Sequence, residues 1–108
     1  MDVTVQRYFV LQKREPMEVY NLKSWQSWMK TSTLRVASTE LKDGTLISTA
    51  FIGRCLPTES VKLFETAIYF HPNYHGQFWR WESWDEAVRG HQIVVNDLIR
   101  PSLKVTGR

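Results

Sequence analysis

The 108-residue sequence predicts an α+β fold in which an antiparallel sheet of four to five strands carries two helices packed on one face. Three observations point there. Short β-branched and aromatic runs recur along the chain, separated by polar turns. Two segments show apolar residues at helical spacing, each opened by a capping residue. The strand-like runs follow one another at hairpin distances, and neither linkers nor repeats interrupt them, so residues 1–108 form one domain.

The first run, VTVQRYFVL (3–11), reads as a strand. KREP (13–16) is a polar turn because the residue before a proline avoids helical backbone, and MEVY (17–20) returns to complete a hairpin. Asn21 is placed to cap a short helix, LKSWQSWMK, whose Leu22, Trp25, Trp28 and Met29 share one face. TLRVASTEL (33–41) is a second strand. KDGT (42–45) contains Asp43-Gly44, the signal of a two-residue type I′ hairpin turn, and LISTAFIG (46–53) returns from it. RCLPTES (54–60) reads as a loop around Pro57.

VKLFETAIYF (61–70) is the strongest strand. Phe64, Thr66, Ile68 and Phe70 point one way, and Leu63, Glu65, Ala67 and Tyr69 the other. HPNYHG (71–76) is a turn and QFWRW (77–81) the next strand. In SWDE (83–86) the Ser83 hydroxyl accepts from the amide three residues on and Glu86 reaches back, a capping box, while Asp85 and Glu86 suit the positive end of the helix dipole. Trp84, Ala87, Val88, His91, Val94, Val95 and Leu98 then form a core-facing stripe, and Pro101 ends the helix.

Composition narrows the function classes. With 43% hydrophobic and 13% aromatic residues, general disorder is excluded. The formal charge of +3 is thinly spread: the basic residues Arg100, Lys104 and Arg108 are scattered, and no stripe exists to replace phosphate counterions. A single cysteine, Cys55, excludes an internal disulfide and fits a reducing compartment. No run is apolar and long enough to span a bilayer, and the start lacks a signal-peptide pattern, so a soluble cytoplasmic protein with no membrane association is expected.

Few residues remain for chemistry. His91 lies on the apolar stripe and needs partners for both ring nitrogens; it is either a core histidine bonded structurally or a ligand contact, with Gly90 permitting close backbone approach. Glu65 lies mid-strand and is costly to bury unless paired; Arg80 on the following strand is the candidate cross-strand partner, and a polar pocket is the alternative. Trp79 and Trp81 share a strand face, as core or as a self-association surface. His71 and His75 sit in a turn with no third ligand at useful spacing, so neither a metal nor another cofactor is expected. Cys55, exposed in its loop, has no motif partner for nucleophilic catalysis, and no phosphate loop or paired-carboxylate motif is present.

The order of LISTAFIG, LFETAIYF, RWESWDEA and GH resembles a family of small uncharacterised bacteriophage and prophage proteins, whose members read like STxFLG, FETMxF, RYxxWxEA and GH. The matching residues are Ser48-Thr49, Phe51 to Gly53, Phe64-Glu65-Thr66, Arg80-Trp81, Trp84, Glu86-Ala87 and Gly90-His91; the opening hairpin and Trp-bearing helix are also similar, so about three quarters of the chain is covered. Family members usually carry an Asp-His pair and a Gly-Pro-rich loop where Arg54-Cys55 and LPTES stand here, and glycines where HPNYHG stands.

The resemblance implies a phage context and the cytoplasm of an infected cell. The expected function is a non-enzymatic phage accessory protein, host-directed or anti-defence, that sequesters a host protein or a small anionic signal molecule. Glu65, Arg80, His91, Trp79 and Trp81 are the candidate contact residues. A homodimer or higher homo-oligomer is expected because surplus aromatics in a small domain often lie at a symmetric interface. A small nucleic-acid-binding regulator and a minor virion structural component are the alternatives.

Overall fold

A computed structural model describes residues 6–100; residues 3–5 of the first expected strand, together with Pro101, Lys104 and Arg108, lie outside the described residues. The fold is α+β, with two helices and two antiparallel sheets. The expectation of one sheet is corrected: three strands form one sheet and four form another.

The smaller sheet begins with β1 (Arg7–Gln12) and β2 (Glu15–Val19). Their turn is tighter than KREP suggests. Lys13 and Arg14 alone link the strands, both at positive φ (51° and 69°), and Pro16 lies inside β2 opposite Leu11. Gln12 and Glu15 close the hairpin, so the next pair, Leu11 and Pro16, is of the non-hydrogen-bonded kind. The nitrogen of Pro16 therefore faces the free edge, where no donor is needed. Arg7 clamps Glu18 at 2.8 and 3.0 Å across this pair of strands.

Helix α1 (Leu22–Thr31) starts as expected, with the Asn21 side chain accepting from the Ser24 amide at 3.0 Å. Trp25 is its buried anchor: the indole Nε1–H donates to the Phe9 carbonyl at 2.9 Å and so fastens the helix to β1. Trp28 and Met29 pack partly against the core, but Leu22, expected on the same face, is exposed.

The larger sheet has the order β3 (Arg35–Glu40), β4 (Leu46–Phe51), β6 (Phe64–Tyr69), β7 (Phe78–Trp81). The β3–β4 turn corrects the type I′ expectation. Only Gly44 has positive φ; the Gly44 amide donates to the Leu41 carbonyl and the Leu41 amide to the Thr45 carbonyl. This is a three-residue loop whose glycine forms the bulge. Asp43 accepts from the Thr45 amide at 2.9 Å, and that bond holds its carboxyl below the usual carboxylate range.

After Phe51 the chain crosses between the sheets. Arg54–Cys55, expected as loop, is a short strand, β5, paired with β1. Gly53 makes the crossing possible: at φ +68° its carbonyl accepts from Phe9, and a Cβ there would stand 2.9 Å from both the Phe51 ring and the Phe9 oxygen. Cys55 is consequently buried, correcting its expected exposure, and burial pushes its thiol up.

Helix α2 (Trp84–Ile99) packs on the larger sheet, whereas α1 packs on β1. Ser83 caps α2 by accepting from the Glu86 amide at 3.1 Å, and the Glu86 carboxylate accepts from the Glu82 amide, one residue further back than a capping box requires. Ala87, Gly90, His91, Val94 and Val95 are buried. Val88, expected on the stripe, is exposed, and Gly90, on the opposite flank of the stripe, is buried.

Two apolar clusters result. Phe9, Phe51, Cys55, Leu63, Phe64 and Ala87 form one, and Ile47, Ile68, Val94 and Val95 the other. On β4, on β6 and on α2, a polar residue stands between the members of the two clusters: Thr49, Thr66 and His91, all buried.

Candidate functional site

The β alternation that sends Phe51, Phe64 and Ile68 inward also sends the threonines inward. Thr39 comes from β3, Thr49 from β4, Thr66 from β6 and Trp81 from β7, and His91 descends on them from α2. One side chain from every strand of the larger sheet thus joins a single row. Trp81 Nε1 lies 2.9 Å from Thr66 Oγ1, which lies 2.5 Å from Thr49 Oγ1. Thr49 Oγ1 is 2.7 Å from His91 Nδ1, and His91 Nε2 is 2.9 Å from Thr39 Oγ1.

The indole can only donate, whereas each hydroxyl can donate once and accept twice, so the direction that leaves no hydroxyl proton unused between indole and imidazole runs from Trp81 to Thr39. Trp81 donates to Thr66, Thr66 to Thr49, Thr49 to His91 Nδ1, and His91 Nε2–H to Thr39. Every hydroxyl between the indole and the imidazole then accepts once and donates once, and the imidazole is neutral with its proton on Nε2. An imidazolium would donate at both nitrogens and reverse the Thr49–Thr66 bond. The Thr66 hydroxyl would then have no acceptor in the row. Burial acts in the same direction and pushes His91 below the ordinary histidine value.

His91 is 4% exposed, so this row is sealed under α2. Its chemistry is cohesion: five polar side chains satisfy one another and fix the position of the helix over the sheet. Trp81 completes the seal. Its ring lies against the helix backbone at Gly90, where a Cβ would come within 2.3 Å of Cζ2. The close approach expected of Gly90 is made by this indole.

Glu65 and Arg80 stand apart from His91. They are directly opposite in register and joined at 3.2 Å, on the face of the sheet away from α2. Half-exposed, this is the cross-strand pair that the sequence suggests. They line a cleft of about 400 Å³ together with Gln6, Arg54, Cys55 and Glu59. Glu59 is engaged by the Leu56 amide at 2.7 Å, and Arg54 has no acidic partner among the described residues.

Trp79 is 37% exposed at the sheet edge, beside the better covered Trp81. The two therefore share a face and differ in role: Trp81 is core, and Trp79 is surface.

The tip of the β6–β7 hairpin, which sequence pattern marks only as a turn, is a further exposed feature. Tyr69, Phe70 and Tyr74 are exposed there, Phe70 at 69%. Phe70 does not continue β6 as alternation predicts; it takes φ +64°, a left-handed conformation that a bulky side chain rarely adopts. Its amide donates to His75 Nδ1 at 2.9 Å, and its ring lies 6.1 Å from the His75 ring. His71 stacks on Tyr74 at 4.7 Å, and its Nδ1 accepts from the Asn73 and Tyr74 amides. Both histidines are therefore turn scaffolding, with Nδ1 accepting from backbone amides. Among the described residues no group of three or more His, Cys, Asp or Glu is arranged to hold a metal. The signal for this tip was the aromatic density of YFHPNYHGQF; the left-handed Phe70 has no counterpart in sequence rules.

No helix among the described residues is long and apolar enough to cross a membrane. Comparison with protein-family models, curated proteins and solved structures finds no match to the chain.

Proposed function

We propose that the protein is a non-enzymatic phage accessory protein that binds a host protein through the tip of the β6–β7 hairpin. The observation that carries this reading is Phe70. A large apolar ring is held in solvent by a backbone conformation that costs energy, and such costs concentrate at binding sites. The rings of Tyr69 and His75 flank it and His71 stacks on Tyr74 in the same turn, giving an aromatic surface with little conformational entropy to lose on binding.

The partner class follows from charge. Residues 69–77 contain no Lys, Arg, Asp or Glu, so the tip offers nothing to replace phosphate counterions, which disfavours a nucleic-acid reading and favours a protein pocket. His91, the residue best suited to acid–base chemistry, is sealed and neutral, which supports a binding role over catalysis. The phage setting rests on the motif resemblance alone.

A second reading has its own observation. Arg54 lines the same cleft as Arg80 and has no acidic partner among the described residues, which suits a small anionic molecule. Glu59 and Glu65 offset that charge, so the tip is preferred.

The test is site-specific photo-crosslinking from position 74 in bacterial cells producing the protein. One discrete host protein should crosslink, and the crosslink should disappear with Phe70→Asp. Crosslinking to nucleic acid, or a crosslink to the same protein that Phe70→Asp leaves unchanged, would overturn the reading.

A further inference from the structure

We propose that the free edge of β7 docks on the same edge of a second copy, forming a two-fold antiparallel β7–β7 junction centred on Trp79. This inference does not depend on the hairpin tip, and either can fail alone.

The edges of the two sheets are unlike one another. β2 carries Glu15, Pro16 and Glu18, and Pro16 turns its donorless nitrogen outward. β3 is interrupted by a register shift between Arg35 and Ala37 and ends in Glu40. Prolines, bulges and charges are the usual protections of an edge. β7, with the sequence Phe-Trp-Arg-Trp, has no proline and no bulge, and its single charged residue, Arg80, is paired with Glu65 on β6. It is also rich in exposed aromatics: Phe78 is 55% exposed and Trp79 37%.

The register follows from which backbone groups are free. Ile68 on β6 donates to the Gln77 carbonyl and accepts from the Gly76 amide, so Phe64, Thr66 and Ile68 direct their backbone groups towards β7. Their partners Trp79 and Trp81 direct theirs back. By alternation the N–H and C=O of Phe78 and Arg80 point to the free edge, where no partner is present among the described residues. The next outward donor, the Glu82 amide, is already given to Glu86 Oε1 at 3.0 Å.

Two-fold pairing that keeps the sheet faces in common must centre on a residue. Centred on Trp79, it sets Phe78 opposite Arg80 of the second copy, and Arg80 opposite Phe78 of the second copy. All four free donors and acceptors of each edge are used. Each guanidinium, already 5.5 Å from its own Phe78 ring, meets a second aromatic face. Centred on Arg80, the pairing would oppose two like charges and call on the engaged Glu82 amide. Charge and hydrogen bonding thus select the same register, and the two larger sheets join into one of eight strands.

The experiment is sedimentation of the purified chain, together with oxidative crosslinking. The parent chain should sediment as a dimer. Trp79→Lys, which opposes two ammonium groups at the two-fold, should sediment as a monomer with an unchanged circular dichroism spectrum. Trp79→Cys should crosslink under mild oxidation, since opposed residues at a non-hydrogen-bonded position have Cα atoms about 4.5 Å apart, within the range a disulfide bridges. Glu82→Cys should not, since the register separates its two copies by roughly 20 Å at ~3.4 Å per residue. A monomeric parent chain, or a dimer in which Trp79→Cys fails to crosslink or Glu82→Cys crosslinks as fast, would overturn the proposal. The crosslinking pair decides even if Trp79→Lys does not fold.

Discussion

The indole of Trp81 lies flat on the backbone of α2 at Gly90, so close that a Cβ on Gly90 would stand 2.3 Å from Cζ2. The ring cannot slide away freely, because its Nε1 is bonded to Thr66 and Thr66 is bonded to Thr49. Strand, helix and polar row are therefore locked at one point.

Gly90→Ala tests that lock, because two effects oppose each other. Alanine in a helix interior is worth about 1 kcal/mol over glycine. Forcing an anchored ring out of its seat costs about 1–3 kcal/mol and breaks the Trp81–Thr66 bond as well. The clash should win, with a net loss of about 1–2 kcal/mol in denaturant unfolding and a changed tryptophan emission spectrum. A more stable variant would mean that the indole is not anchored.

His91 makes stability depend on pH in a predictable direction. Burial lowers its pKa below the ordinary 6.5, which the unfolded chain retains. Above that value both states carry the neutral ring, and His91 adds no slope. Below it the unfolded chain takes up a proton that the folded row refuses, so stability falls with pH down to the folded-state pKa. His91→Leu should be less stable near neutral pH by about 1–3 kcal/mol, and its stability profile should lack that component of the acid slope. Parallel profiles for the parent and His91→Leu between pH 7 and pH 5 would contradict the assignment.

Much of this arrangement was legible from local pattern. Asn21 and Ser83 cap the helices where their side chains and spacing place them, and the Glu65–Arg80 pair follows from alternation across one hairpin. What escaped the pattern is non-local. That Gly53 carries the chain from one sheet to the other depends on Phe9 and Trp25 waiting beside it, more than twenty residues earlier. Helical spacing put Val88 inside, but the ring of Trp81 occupies the helix face at Gly90 instead. The threonines read as ordinary strand formers; only the register of four strands aligns them into a row under His91.

Trp25→Phe isolates the attachment of α1. Phenylalanine keeps most of the apolar contact and removes the donor to the Phe9 carbonyl. That carbonyl is then left buried without its partner, at a cost of about 1–3 kcal/mol. The loss should appear in thermal unfolding, and hydrogen exchange should rise in α1 and β1 while α2 is little affected. Uniformly raised exchange would show that the two sheets open as one unit.

Phe70→Asn separates binding from folding. At φ +64° phenylalanine pays for a conformation that asparagine tolerates, roughly 1–2 kcal/mol for an ordinary residue. Its ring is 69% exposed, so removing it surrenders little burial. The amide bond to His75 does not involve the side chain and should survive. The variant should therefore gain about 0.5–1 kcal/mol in stability while losing the host crosslink from position 74. Such an exchange of stability for recognition is what a strained binding residue predicts. If Phe70→Asn were destabilising instead, the ring would be packing against its own chain, and the tip would be ordinary structure.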